Sequence, residues 1–249
     1  MCAHQDTPFL DLAIISMLEQ DFFEDFEIII VANNCTDELW KKLHNYGASD
    51  PRIKLFRTKI GQLAFNLNYG LDKACGEYIV RMDSDDVCFS SRLADTLHAL
   101  KFHDFPDVLC GVADLIDDEG RVIGGLGKVR GPIAISRALP FKNPIIHPAT
   151  AIKVSAILSV RGYLGGINCE DYDLWQRMDR AGMKLLVSEF KAIKYRISDY
   201  QVKGGRIAYA DAIGLCLREA VLRGSFRYFA GFLVSISKYY IFLMLGKMK

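Results

Sequence analysis

With 249 residues, 51% of them hydrophobic and 24% charged, the chain is long enough for one sizeable core and too apolar to be disordered. Its net charge of +1 is unevenly placed: from Lys203 onward eight basic residues stand against two acidic ones (+6), and the rest carries −5. A basic, apolar end on a mildly acidic body points to an anionic membrane surface as partner and away from nucleic acid.

In chain order, Thr7-Pro8 reads as a helix cap followed by proline at the first helical position, and Phe9, Leu10, Ala13, Ile14, Met17 and Leu18 fall at helical spacing. Residues 26–31 form a buried strand, and Thr36 caps a helix over 37–46. A short strand at 53–56 and a helix after Gly61 follow, then a strand at 78–82 and a helix capped by Ser90 or Ser91. Strands alternating with helices of about ten residues predict a parallel α/β sheet. Only about six residues precede the first helix, so the sheet either starts with a stub strand or continues upstream of Met1; a clipped or misassigned start is the preferred expectation. Further on, 108–116 and 121–123 read as a hairpin around Asp117-Asp118-Glu119-Gly120, and 132–139 as a short helix. A strand at 149–153 follows, then a loop with Gly162, Gly165 and Gly166 that ends in a helix bearing Leu174, Trp175 and Met178. Strands at 185–187 and 193–195 precede a helical segment from about Gly205.

Seven cysteines, an odd number with no Cys-x-x-Cys pair, point to reduced thiols in a cytosolic compartment and against a zinc site or disulfide framework. Residues 1–6 carry neither the basic start nor the apolar run of a signal peptide.

Two acidic clusters carry the chemistry. Asp83-Ser84-Asp85-Asp86 closes an apolar strand, at the carboxyl end where parallel sheets bind ligands. Asp83 and Asp85 lie two apart, so in an extended segment they face the same way and suit one divalent cation with a phosphate; a lone Asp-x-Asp is more often a solvated turn. Glu170-Asp171-Tyr172-Asp173 opens a helix after the glycine loop. Acids there complement the helix dipole in any protein, and one of them could also serve as a general base facing the first cluster.

The order Ala32-Asn33-Asn34-Cys35-Thr36-Asp37, Gly61-x-x-Ala64-x-x-Leu67-Asn68-x-Gly70-Leu71, Gly76-Glu77-Tyr78-Ile79, Asp83-Ser84-Asp85-Asp86 and Glu170-Asp171-Tyr172-Asp173-Leu174-Trp175 resembles the family-2 inverting glycosyltransferases. The likeness spans residues 7–200 and implies their fold: a mostly parallel, Rossmann-like α/β sheet flanked by helices, the A-type nucleotide-diphospho-sugar fold, here with a helical C-terminal tail. Carried over, it makes Asp83 and Asp85 the holders of Mg²⁺ or Mn²⁺, Asp171 the base and Glu170 a supporting acceptor contact. Asn33, Asn68, Ser84 and the aspartates would meet the donor nucleotide, and His147 would sit by the donor–acceptor cleft. Two positions depart from the family: Ala3-His4-Gln5-Asp6 stands where a Thr-Tyr-Asn-like segment is usual, and Ala32-Asn33 where acidic residues are usual.

The likeness implies metal-dependent, inverting transfer of a hexose or N-acetylhexosamine from a UDP-sugar to a glycan hydroxyl in bacterial surface-polysaccharide assembly. Its alternative is a binding protein that keeps the fold without turnover. Residues 1–204 form the catalytic domain in this reading. Residues 205–249 form a basic, aromatic tail in which the apolar run 229–245 is interrupted by Lys238; this suits an interfacial helix better than a span. The protein is then expected in the cytoplasm, peripheral at the inner face of the membrane, where its acceptor would be lipid-linked.

Overall fold

The computed structural model describes residues 1–165, 168–197 and 205–245. Its first sheet is parallel, in the order β1 (Cys2–Ala3), β2 (Ile28–Asn33), β3 (Ile53–Thr58). The near-continuous apolar run Ile-Ile-Ile-Val-Ala makes β2 a strand buried on both faces, as a parallel sheet requires. β1 is the two-residue stub, with Cys2 opposite Val31 and Ala3 opposite Ala32.

Helices α1 (Leu10–Leu18) and α2 (Asp37–Ser49) make the crossovers. Thr36 caps α2 as expected, its Oγ1 accepting from the Leu39 amide at 3.3 Å. Thr7 does not cap α1. That helix starts at Leu10 with no side-chain cap, and Thr7 contributes only its carbonyl, which accepts from the Leu10 amide at 3.2 Å.

After α3 (Leu63–Lys73) the chain enters a second, six-stranded sheet. Its strands are β4 (Tyr78–Val80), β5 (Val87–Cys88), β6 (Val108–Ile116), β7 (Val122–Leu126), β8 (Thr150–Lys153) and β9 (Leu185–Arg196). They run in the order β4-β8-β6-β9-β5, with β7 paired to β6. The β6/β9 pair is parallel; β4 and β6 pair antiparallel with β8, and β6/β7 is the expected hairpin. The two strands expected near 185 and 193 are one strand of 12 residues, its register shifted around Val112 of β6.

Helices α4 (Arg92–Phe102), α5 (Pro132–Ala138), α6 (Val154–Ser159) and α7 (Glu170–Arg180) cover this sheet. Trp175 on α7 is fully buried and belongs to the core. The two sheets are not hydrogen-bonded to each other. Between β2 and the free edge of β4 lies an apolar groove of about 240 Å³ lined by Ile29, Val31, Leu67, Leu71 and Ile79.

The chain ends in α8 (Gly205–Arg223) and α9 (Phe226–Met244). The expected division between residues 204 and 205, and Gly166 of the expected loop, touch residues outside the described set. Leu215, Cys216 and Ala220 of α8 and Tyr228 of α9 are buried, three of them within the main core cluster. Glu219, with no exposed surface, ties α8 to α7 through Arg180 and is further held by Arg218 and Arg223 at 3.0 and 2.9 Å. Asp173 of α7 likewise meets Arg177 and Arg218. Gly231 lets α9 rest on the Pro140 carbonyl, where any side chain would collide. The two C-terminal helices are therefore packed against the rest of the fold, with the outer face of α9 exposed.

Candidate active site

The acidic turn that ends β4 is built on three buried arginines. The Arg81 amide extends the β4/β8 ladder by donating to the Thr150 carbonyl at 2.9 Å, and its guanidinium pairs with Asp83. Arg92, 1% exposed, donates to the carbonyls of Arg81 and Pro148 at 2.6 and 2.7 Å, stapling the strand end to the segment before β8. Arg196 closes β9: its amide donates to the Asp86 carboxylate at 2.9 Å and its Nε to the Asp85 carbonyl at 2.9 Å. The Arg196 guanidinium stacks 3.9 Å over the ring of Phe9. These arginines set the turn's shape and supply counter-charge, and nothing in their spacing announced it.

Even so, the turn's buried carboxylates are incompletely solvated by these partners. Burial, followed by the charges of Asp83 and Asp85, pushes the Asp86 carboxyl up to about 8, and its Oδ2 is buried without a hydrogen-bond partner. Burial and then Asp83 also raise Asp85. A compact set of hard carboxylate oxygens with an orphaned oxygen among them matches what Mg²⁺ or Mn²⁺ prefers. Among the described residues no group of three or more His, Cys, Asp and Glu side chains converges as a ready-made metal cluster. The acidic turn is the place whose donor chemistry fits such an ion.

The second acidic cluster opens α7. Glu170 is buried, and that burial together with the neighbouring Asp171 raises its carboxyl to about 7. Burial raises Asp171 as well. Its Oδ1 accepts from the Tyr172 amide at 2.7 Å and its Oδ2 from Asn143 Nδ2 at 2.8 Å. Two hydrogen bonds to the charged form fix this carboxylate's direction and offset part of the desolvation.

Asp83, Glu170 and Asp171 line one cleft of about 590 Å³ with His147, Asn143 and Tyr195. The fold thus brings both acidic clusters together. His147 bonds the Tyr163 hydroxyl at 2.8 Å, and burial, aided by the Arg81 charge, holds it neutral with a pKa well below 6.5. Asp85 and the half-buried Ser84 are not part of the cleft wall. Neither are Asn33 and Asn68. Asn33 is buried at the end of β2 opposite Thr58.

Asn68 is spent elsewhere. Its Nδ2 donates to the Tyr163 carbonyl at 2.7 Å, and its Oδ1 accepts from the Tyr163 amide at 2.8 Å. The amide expected to face the nucleotide instead clamps α3 to the loop before α7. Lys128, Arg130 and Lys142, which also line the cleft, were not anticipated, because single cations in loops carry no periodic signal.

Residues 1–157 match the family described as Glycosyl transferase family 2. The O-antigen biosynthesis glycosyltransferase WbnJ of Escherichia coli is 37% identical over 88% of this chain and 86% of its own length. The E. coli UDP-Gal:alpha-D-GlcNAc-diphosphoundecaprenol beta-1,3-galactosyltransferase is 28% identical over 69% of this chain, which spans only 62% of that relative. Staphylococcus aureus TarS, solved as residues 1–349 with UDP-GlcNAc, superposes with a TM-score of 0.68 at 17% identity, over 88% of this chain and 64% of TarS; this likeness speaks for the fold. A two-sheet α/β fold, two acidic clusters in one cleft and a family match over more than half of the chain lead to one conclusion: the chain belongs to glycosyltransferase family 2, and it is a glycosyltransferase.

Proposed function

We propose that the chain transfers a hexose or N-acetylhexosamine from a UDP-sugar to a glycan hydroxyl, with inversion and with a divalent metal, in bacterial surface-polysaccharide assembly. The observation that carries this reading is the shared cleft: Asp83 at the end of β4 and Asp171 at the start of α7 line the same space. In this reading Asp171 takes the proton of the acceptor hydroxyl as its oxygen bonds to the anomeric carbon and the bond to the diphosphate oxygen breaks. Asn143 holds Asp171 in place, and the neighbouring Glu170, raised to about 7, is suited to hydrogen-bond the acceptor. His147, held neutral, lends shape and no charge to the cleft.

Asp83 and Asp85 would hold Mg²⁺ or Mn²⁺, with Asp86 buried behind them as an anchor to Arg196. Bound there, the cation supplies Lewis-acid neutralisation of charge on the departing nucleoside diphosphate. Asn33, Asn68 and Ser84 remain candidates for the donor side, with Asn68 acting through the loop it clamps.

The outer face of α8 and α9 supports peripheral membrane contact and, with it, a lipid-linked acceptor on the cytoplasmic side. Phe226, Leu233, Tyr240, Ile241 and Met244 are exposed there, and Arg227 and Lys238 add positive charge. Among the described residues no helix is long and apolar enough to cross a membrane.

The test is a panel of nucleotide sugars assayed for Mn²⁺-dependent hydrolysis and transfer. The wild-type protein should turn over one UDP-sugar, and Asp85→Ala should abolish the metal-dependent rate while the fold is retained by circular dichroism. Undiminished metal-dependent turnover in that variant would sink the metal assignment.

A further inference from the structure

Beside its three carboxylates, the cleft is lined by Lys128, Arg130 and Lys142. None of these cations forms an ion pair among the described residues, within an N···O distance of 4.0 Å. Several structural arginines nearby are already engaged: Arg81 with Asp83, Arg177 with Asp173, and Arg180 and Arg223 with Glu219. Three uncommitted cations therefore share a space with three carboxylates without touching them, which leaves a gap for a ligand that complements both.

The backbone that carries two of these cations is anchored near the cleft. The Arg130 main chain exchanges two hydrogen bonds with Val187 of β9, at 3.0 and 2.9 Å. Lys142 precedes Asn143, the residue that orients Asp171. The line of positive charge continues outward: Arg130 and Arg137 flank a shallow neighbouring depression, and Arg227 at the start of α9 donates to the Arg137 carbonyl at 2.9 Å. It thus runs from the carboxylate of Asp171 toward the exposed apolar face of α9.

We infer that Lys128, Arg130 and Lys142 form an anion subsite for the acceptor: they bind a phosphate or diphosphate ester carried by the acceptor sugar, beside the hydroxyl that Asp171 deprotonates. This rests on the proposed transferase reading and assigns the acceptor's chemical class. A carboxylate-lined cleft repels such a group, so the cations supply both attraction and register. They also discriminate, since a neutral glycoside leaves them without a partner. The anionic group has two possible sources, a lipid-linked sugar diphosphate or a soluble phosphorylated glycan, and the line of charge toward α9 favours the former.

Binding is measured by calorimetry with decyl diphosphate, methyl diphosphate and the neutral decyl maltoside, all in EDTA so that no divalent ion bridges to Asp83 and Asp85. Wild-type protein should bind a diphosphate and lose affinity as salt rises. The K128A/R130A/K142A variant, with an unchanged melting temperature, should bind it roughly tenfold to a hundredfold more weakly, as expected for losing three exposed charge contacts. Decyl diphosphate binding more tightly than methyl diphosphate supports the lipid source; equal affinities support the soluble one. Equal binding of decyl maltoside, or an unchanged affinity in the triple variant, overturns the subsite. Mn²⁺-dependent hydrolysis of UDP-sugars by the wild-type protein is run in parallel. Hydrolysis without diphosphate binding refutes only the subsite, and no hydrolysis of any nucleotide sugar refutes the transferase reading beneath it.

Discussion

Replacing Asn68 with alanine separates two roles for that residue. If its amide serves the loop, as its two hydrogen bonds to Tyr163 indicate, Asn68→Ala removes about 1 kcal/mol per bond and leaves an amide and a carbonyl of Tyr163 without those partners. The expected loss is about 2–4 kcal/mol of unfolding free energy, read as a lower urea midpoint by circular dichroism at an unchanged m-value. Tyr163 also holds His147, so turnover should fall along with stability, while UDP-sugar affinity stays within about threefold. Gly162 supplies an internal control. It has φ +66, and a side chain there would collide with Asn68 Oδ1. Gly162→Ala should therefore cost less in the Asn68→Ala background than alone, because only the backbone strain of about 1 kcal/mol remains. A variant within about 0.5 kcal/mol of wild type whose donor affinity falls tenfold would refute this and place Asn68 on the nucleotide.

Asp171→Asn should cut the transfer rate by about 10²–10⁴ with little change in UDP binding, checked by single-turnover kinetics beside calorimetry. Glu219→Ala leaves three arginines without their shared carboxylate and should cost about 3–5 kcal/mol, measured by thermal or urea unfolding. The Glu170 carboxyl rises on folding from 4.5 to about 7. Folding thus favours its protonated form; the associated stability is complete below pH 4.5 and is lost as pH rises through about 7. At about 1.4 kcal/mol per unit this amounts to at most about 3.5 kcal/mol, and Glu170→Gln should flatten the decline in stability between those limits. An equal slope in wild type and variant would show that another group titrates there.

Much of the frame was legible in the residues. The hairpin of β6 and β7, the Thr36 cap and the acidic strand end follow from local chemistry, and local chemistry is what a sequence displays. Strand direction is not local. The run Tyr78–Val80 reads the same whether it pairs parallel with a neighbour or, as it does, antiparallel with β8. The 185–195 region looked like two strands because Ser188, Glu189 and Lys191 interrupt its apolar pattern; they fall where the pairing with β6 shifts register. At the site, carboxylates were found through their spacing. The arginines that hold them, and the amide of Asn68, act across the fold on partners far away in the chain and leave no mark in any short window.

Because α8 is bolted to α7 through the enclosed carboxylate of Glu219, the C-terminal helices cannot behave as a tether. A flexible anchor lets an enzyme tumble above a surface and sample every orientation. A rigid one that adsorbs through the outer face of α9 would fix the height of the catalytic cleft and the direction in which it opens. Fixed alignment removes much of the rotational search for an acceptor confined to the same plane, at the cost of reaching only sugars within one narrow band of distance from that surface. The length of glycan the enzyme can extend would then be set by how far its cleft stands from α9, a distance written into the packing of Gly231 on Pro140.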